Sequence, residues 1–329
     1  GGTYQEQVQI HVSGSPGAPI NFRNYPGETV NIDGQGSIPA NRYGGLIQID
    51  AKDHLQIIGL HIMNSNSYGV KVAGSSDHIL VQDCEVAHSK DGGIVFETYQ
   101  GSPTNVTVDG CEVHGNNARG LDAAHEAISM DGVNTFEIMN NHVYDNGEEG
   151  IDAKVGSTHG KIHHNRVHDN NGPNIYVDAA SNISIYNNEV FGTRGVKPGI
   201  MLAVEEYASQ DITFNMDIYN NLIYDNNSGI GFWIESGAMD FASIHDVRIL
   251  NNTIHSNEAN GGLWIMNAPT NGYSNILVRN NIFWENDTAG RDEIRDSTSP
   301  GQLGSFTIDH NLFEAGAISD TYGDEPVLA

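Results

Sequence analysis

Only two cysteines, Cys84 and Cys111, occur in 329 residues, with no CxxC pair and no Cys/His metal spacing. That excludes a disulfide framework and a thiolate zinc site. No apolar run approaches the roughly 20 residues that a membrane-spanning helix needs, so no membrane partner is expected. Positive charge is scarce: 15 Lys and Arg against 42 Asp and Glu leave a net charge of −27, which makes nucleic acid and anionic membrane surfaces poor partners. Long helical periodicity is also missing. The chain starts at Gly1 with GGTYQEQVQI, without an initiating Met or signal-peptide pattern, and reads as a processed or trimmed product. What remains is a chain of 38% hydrophobic residues, rich in Gly and Asn. Such a composition suits a solenoid of short strands and tight turns, and its acidity fits cation binding, an extracellular setting or simple solubility.

The solenoid has a visible repeat. The contexts NNHVYDN, HNRVHDN, NNEVFGT, NNLIYDN, NNTIHSN, NNIFWEN and HNLFEAG align on Asn141, Asn165, Asn188, Asn221, Asn252, Asn281 and Asn311, and Leu60, Cys84 and Cys111 fill the same slot upstream. Successive intervals are 24, 27, 30, 24, 23, 33, 31, 29 and 30 residues. Each unit reads as an alternating run such as ISIYNNEV, a polar turn, and a second alternating run such as GIVFE or GIMLA. Units of this length without helices stack each strand beside its equivalent, which predicts a single-stranded parallel β-helix of about ten to eleven coils. INF at 20–22 and VNI at 30–32 suggest one more turn at the start. RDEIRDSTSPGQLG breaks the second strand, AISDTYGDEPVLA reads as a tail, and the whole chain, 1–329, forms one domain with an irregular end from about 290. An inward Asn can bond its own coil and the amides above and below. In that slot Cys84 and Cys111 are expected to be buried thiols in neighbouring coils, near enough to raise the question of a disulfide.

Alternation turns Val70, Ile94, Ile128, Ile151, Ile175, Ile200 and Leu263 inward. The next residues outward are Lys71, Val95, Ser129, Asp152, Tyr176, Met201 and Trp264, and the following outward file holds Glu97, Asp131, Lys154, Asp178 and Trp233. Glu126, Glu148 and Glu149 stand at the strand entrance, and Glu205 and Glu206 follow. Lys154 between Asp131 and Asp178 can simply ease stacking repulsion, but crowded like charges favour a compensating cation. Carboxylates beside carbonyl-rich turns suit Ca²⁺ more than zinc, with Glu126, Glu148, Glu149 and Asp152 as candidate ligands. The histidines His125, His142, His163, His164 and His168 make no zinc spacing.

With these residues in place, the chain resembles the right-handed parallel β-helix proteins of the pectate-lyase-like superfamily. NGEEGIDAK is similar to the calcium motif of family 9 polysaccharide lyases, Asp-Asp-Gly-x-Asp. Glu148, Glu149 and Asp152 stand at its acidic positions and Glu126 near the upstream acid. Glu replaces Asp twice, and the family's lysine base has no obvious match. Lys154 is the substitute, with Lys161, Arg194 and Lys197 as rivals. The resemblance implies a secreted, monomeric, Ca²⁺-dependent enzyme that cleaves a uronate polysaccharide by β-elimination. In that reading Lys154 is the base, Tyr176 donates to the leaving oxygen, and Asp131, Asp152 and Asp178 complete the catalytic group. Trp233, Trp264, Glu205 and His125 would bind the sugar. The alternatives are a glycoside hydrolase using paired carboxylates such as Asp131 with Asp152, and a non-catalytic glycan-binding module.

Overall fold

Each Asn-Asn pair divides its labour between bending the chain and filling its interior. The first member sits in the left-handed backbone region, with φ of 58° at Asn140, 54° at Asn187, 56° at Asn220, 55° at Asn251 and 57° at Asn280. Asn tolerates that region better than other residues with a Cβ. The second member turns inward and is buried. In the computed structural model, which describes residues 1–206, 212–238, 242–286, 293–299, 301–313 and 318–320, the bend splits each long run in two. Ser181–Tyr186 is followed by Glu189–Phe191, and Asp77–Gln82 by Glu85–Ala87. The coil therefore has three strands where two were expected, and three parallel sheets result. Residues flanking a left-handed bend cannot continue one straight strand, which period-2 patterning alone does not reveal.

The chain divides into two compact units, Gly1–Ala153 with Ser157–Lys161, and Lys154–Gly156 with Ile162–Ala329. In the first, Val70 pairs with Ile94 and Ile94 with Ile128 in parallel register. In the second, Ile175 pairs with Ile200, Ile200 with Ile230, and Ile230 with Leu263. These are the expected alignments, and the fold is the expected all-β right-handed parallel β-helix. Val72, Phe96, Met130, Val81, Val108, Ile62 and Val113 fill the first unit's core without solvent contact; burying each such side chain stabilises by about 1.5–3 kcal/mol.

Two ends differ from expectation. Gly2–Tyr4 and Val8–Ile10 are strands already, so the first coil begins earlier than INF. Near the other end, Ile294–Asp296 pairs in register with Leu263–Ile265 inside the segment expected to break the strand. Ile318–Asp320, expected as tail, pairs with it in turn; three residues suffice when a neighbouring edge offers hydrogen bonds. Residues 321–329 of that tail lie outside the described residues.

The asparagine slot behaves as its chemistry demands. Asn188 Oδ1 accepts from the Asn165 backbone and side-chain amides, both at 3.0 Å. Its own Nδ2 donates to the Ile162 carbonyl at 2.9 Å and to Asn221 Oδ1 at 3.0 Å. Asn221, Asn252, Asn281 and Asn311 repeat the pattern, although the sequence distance between successive members runs from 23 to 33 residues. A second ladder, not foreseen, joins Asn226, Asn257 and Asn286 and ends on Glu293. Cys84 and Cys111 are buried free thiols. We expect Asn188→Leu to cost about 3–5 kcal/mol, because several buried donors and acceptors lose partners worth roughly 1–3 kcal/mol each. Urea unfolding checks this; a loss under about 1 kcal/mol would mean that water replaces the amide.

Candidate functional site

The clearest concavity lies within the first unit. A cavity of about 960 Å³ is lined by polar side chains, among them Gln9, Gln48, Lys71, Glu97 and His125, and by Tyr43, Tyr68 and Tyr99. Its floor follows from register. Gln9 pairs with Gln48, and Gln48 with Lys71, so one outward file presents a polar group on each successive coil. Coils repeat at about 4.8 Å, a spacing suited to an extended chain of similar repeat. The walls come from the 38–44 and 115–127 segments and from the corner after Glu97.

Lys71 is only 7% exposed, although it occupies an outward position. Its ammonium meets Glu97 Oε1 at 2.5 Å and donates to the Tyr43 carbonyl at 2.8 Å. The Tyr68 and Tyr99 rings flank it at 5.7 and 5.9 Å, within cation–π range. The other Glu97 oxygen lies 3.2 Å from His125 Nε2. Burial pushes the Glu97 carboxyl up, but hydrogen bonds from His125 and Lys71 outweigh it and hold it below the usual range. His125 Nδ1 stands 3.2 Å from the Ser129 hydroxyl, which donates to Glu126 at 2.8 Å. Burial, with the Glu97 and Asp91 charges adding, raises the Tyr68 phenol strongly, so it stays neutral. The cavity offers one enclosed ammonium, one imidazole and one phenol. That set suits a negatively charged ligand.

The expected site residues are placed differently from the open face anticipated. Asp152 has no solvent exposure and Lys154 has 8%. Asp131 is partly buried at the end of Ile128–Asp131, and its carbonyl accepts from Thr98 at 2.9 Å. Outward on a strand is thus not the same as solvent-facing. In the second unit Tyr176, Glu205 and Asp178 do come together. The Tyr176 hydroxyl donates to Glu205 at 2.5 Å, and the Glu205 amide donates to Asp178 Oδ1 at 2.9 Å. Trp233, half-buried rather than exposed, packs with Met266 on Tyr176, Met201 and Ala203. Trp264 is partly buried as well and donates to Ser297 at 3.0 Å. Lys161 is on a different sheet, 3.5 Å from Glu137, and Arg194 and Lys197 lie at an exposed corner.

Calcium was expected on Glu126, Glu148, Glu149 and Asp152. Among the described residues no three His, Cys, Asp or Glu side chains form a set that could hold a metal ion. Glu126 accepts from the Ser129 hydroxyl, and Asp152 is fully enclosed. Lys71, Tyr43, Tyr68 and Tyr99 went unnoticed as site residues because three come from turns or strand starts. The one available signal was a lysine in the outward file, one coil before Glu97.

A family model described as right handed beta helix region matches residues 45–203 and, overlapping, 125–283. Over 89 residues the chain is 38% identical to the uncharacterized protein YwoF of Bacillus subtilis (strain 168), a match covering 25% of this chain and only 19% of that protein. Among solved structures it is similar to the periplasmic alginate epimerase AlgG (TM-score 0.57, 15% identity), covering 73% of this chain and about half, 54%, of that one. The mannuronan C-5 epimerase AlgE4 A-module of Azotobacter vinelandii gives a TM-score of 0.60 at 13% identity, over 98% of this chain and 80% of that chain. Pectate lyase Pel9A gives 0.53 at 14%, over 97% and 71%. At these identities the likeness is one of fold. No helix among the described residues is long and apolar enough to cross a membrane.

Proposed function

The chain belongs to the right-handed β-helix family, and from that membership we propose that it is a secreted, monomeric carbohydrate-active enzyme that cleaves an acidic polysaccharide by β-elimination. The observation that carries this is the Lys71–Glu97–His125 chain inside a cavity walled by amides and tyrosines. Amides and aromatic rings are the groups that hold sugars. Similar folds named for alginate, mannuronan and pectate support an acidic polymer.

In this reading the sugar carboxylate takes the Glu97 place on Lys71. Charge on that carboxylate is then neutralised, which makes the proton on the adjacent carbon more acidic. Removing that proton leaves an electron pair that forms the new carbon–carbon double bond as the bond to the glycosidic oxygen breaks. In this reading His125, beside Glu97, is the acid that protonates that oxygen. The proton goes to a base, for which Lys154 is proposed from the sequence alone; Lys154 is not among the residues that line this cavity. Calcium enters as a condition to be tested, with Glu126, Glu148, Glu149 and Asp152 as its proposed ligands.

The test is ultraviolet absorbance of the new double bond on a panel of polyuronates, with Ca²⁺ and with EDTA. A rise that disappears in Lys154→Ala and in Lys71→Met supports elimination and both roles. A rise unaffected by Lys154→Ala removes that residue as base. New reducing ends without absorbance would replace elimination by hydrolysis. Deuterium uptake at the same carbon without either product would replace it by epimerisation.

A further inference from the structure

The rim of the cleft is tied down by a buried carboxylate that the proposed chemistry does not use. Asp91 has no solvent exposure. Its Oδ2 accepts from the Ser67 hydroxyl at 3.0 Å and from Arg119 Nη1 at 2.6 Å. Its Oδ1 makes no hydrogen bond and faces Arg42 Nη2 at 3.7 Å. Arg119 also donates to the Asn66 carbonyl at 2.9 Å, and Arg42 to the carbonyl of Asp122. One arginine thus comes from each segment that borders the cavity. Arg42 precedes Tyr43, whose carbonyl receives Lys71. Arg119 leads through the short helical turn Gly120–Asp122 to His125. That turn has little other anchorage, since Leu121 at its centre is 96% exposed.

A fully buried carboxylate is costly unless compensated, and here the opposite charges come from the arginines of the two loops, with the Ser67 hydroxyl adding a hydrogen bond. Closing Arg42 onto Oδ1 would satisfy the one oxygen left without a hydrogen bond. We infer that Asp91 is a positioning residue: it clasps the two cleft-bordering loops through Arg42 and Arg119 and thereby sets the placement of Tyr43 and His125. The structural part stands without any assigned activity; the kinetic part rests on the proposed function.

The test compares Asp91→Asn, Arg119→Gln and Arg119→Lys by amide hydrogen exchange, heat denaturation and kinetics. Asp91→Asn should lower protection of amides 117–125 about tenfold or more while core strands keep theirs. Arg119→Gln should do the same, and Arg119→Lys should restore part of it. On a substrate, kcat should fall about 10–100-fold with little change in KM, as expected for a misplaced group. Unchanged loop protection in both Asp91→Asn and Arg119→Gln would overturn the inference. If Asp91→Asn does not fold, Arg119→Gln and Arg42→Gln, whose side chains are partly exposed, decide it on the same readout. Loosened loops in a protein inactive on every glycan would sink the proposed function and leave the clasp standing.

Discussion

Lys71→Met should lower kcat/KM on an acidic polysaccharide by about 10²–10³-fold, the usual consequence of deleting a preorganised charge that meets charge developing in the reaction. The size of the effect follows from where the ammonium sits. It is largely enclosed, fixed by Glu97 and the Tyr43 carbonyl, and bracketed by two tyrosine rings. Water cannot substitute for it there, and no long flexible stem needs ordering when substrate arrives. Methionine keeps the volume and loses the charge, so any loss reflects electrostatics rather than collapse of the cavity. Neutral oligosaccharides, which need no such charge, should bind the variant as well as the parent. Calorimetric titration with charged and carboxyl-reduced oligomers separates the two cases. Equal loss on both would mean that Lys71 shapes the cavity and does not recognise charge.

The second large effect concerns stability. Glu97→Ala should cost about 2–4 kcal/mol, because it leaves the Lys71 ammonium enclosed without its counter-charge; Glu97 retains some solvent contact, which keeps the figure below that of a fully buried pair. Replacing both partners, Lys71→Met with Glu97→Leu, should recover most of that stability and none of the activity. The pH response has a definite sign. The Glu97 carboxyl is lowered in the folded protein, so its contribution is in force above the unfolded carboxylate value of about 4.3 and is lost as pH falls through the lower folded value. Unfolding midpoints measured from neutral to acid pH should therefore converge for parent and Glu97→Leu at the acid end. Parallel curves over that range would show that the carboxylate contributes through packing alone.

The fold was legible where one residue type answers one backbone need. Asn188 and Asn221 recur because each satisfies the equivalent buried carbonyl of the coil before it. The registers of Ile200 and Ile230 were legible because period-2 alternation admits one choice of inside. The split into three strands was not, since the bend occurs within an apparently continuous alternating run. The cleft was least legible of all. Tyr43 and Tyr99 come from turns with no period, Lys71 carries no sign that neighbouring loops will enclose it, and His125 was expected as a sugar contact but not beside Lys71. Asp152 and Lys154 were correctly placed on the strand, yet alternation gives direction and not exposure.

The ladder's indifference to sequence spacing has a practical consequence. Asn165 and Asn188 are 23 residues apart, and Asn188 and Asn221 are 33, yet the bonds they make are alike. Two of the ten extra residues enter between Phe191 and Ile200, where Val196 is 66% exposed, and eight enter between Ala203 and Phe214. The molecule is thus punctuated like text on ruled paper: a clause can be lengthened between the lines while the lines stay fixed. A short epitope or a reporter peptide spliced in after Arg194 should leave every rung where it was, offering a place to write new sequence without rewriting the fold.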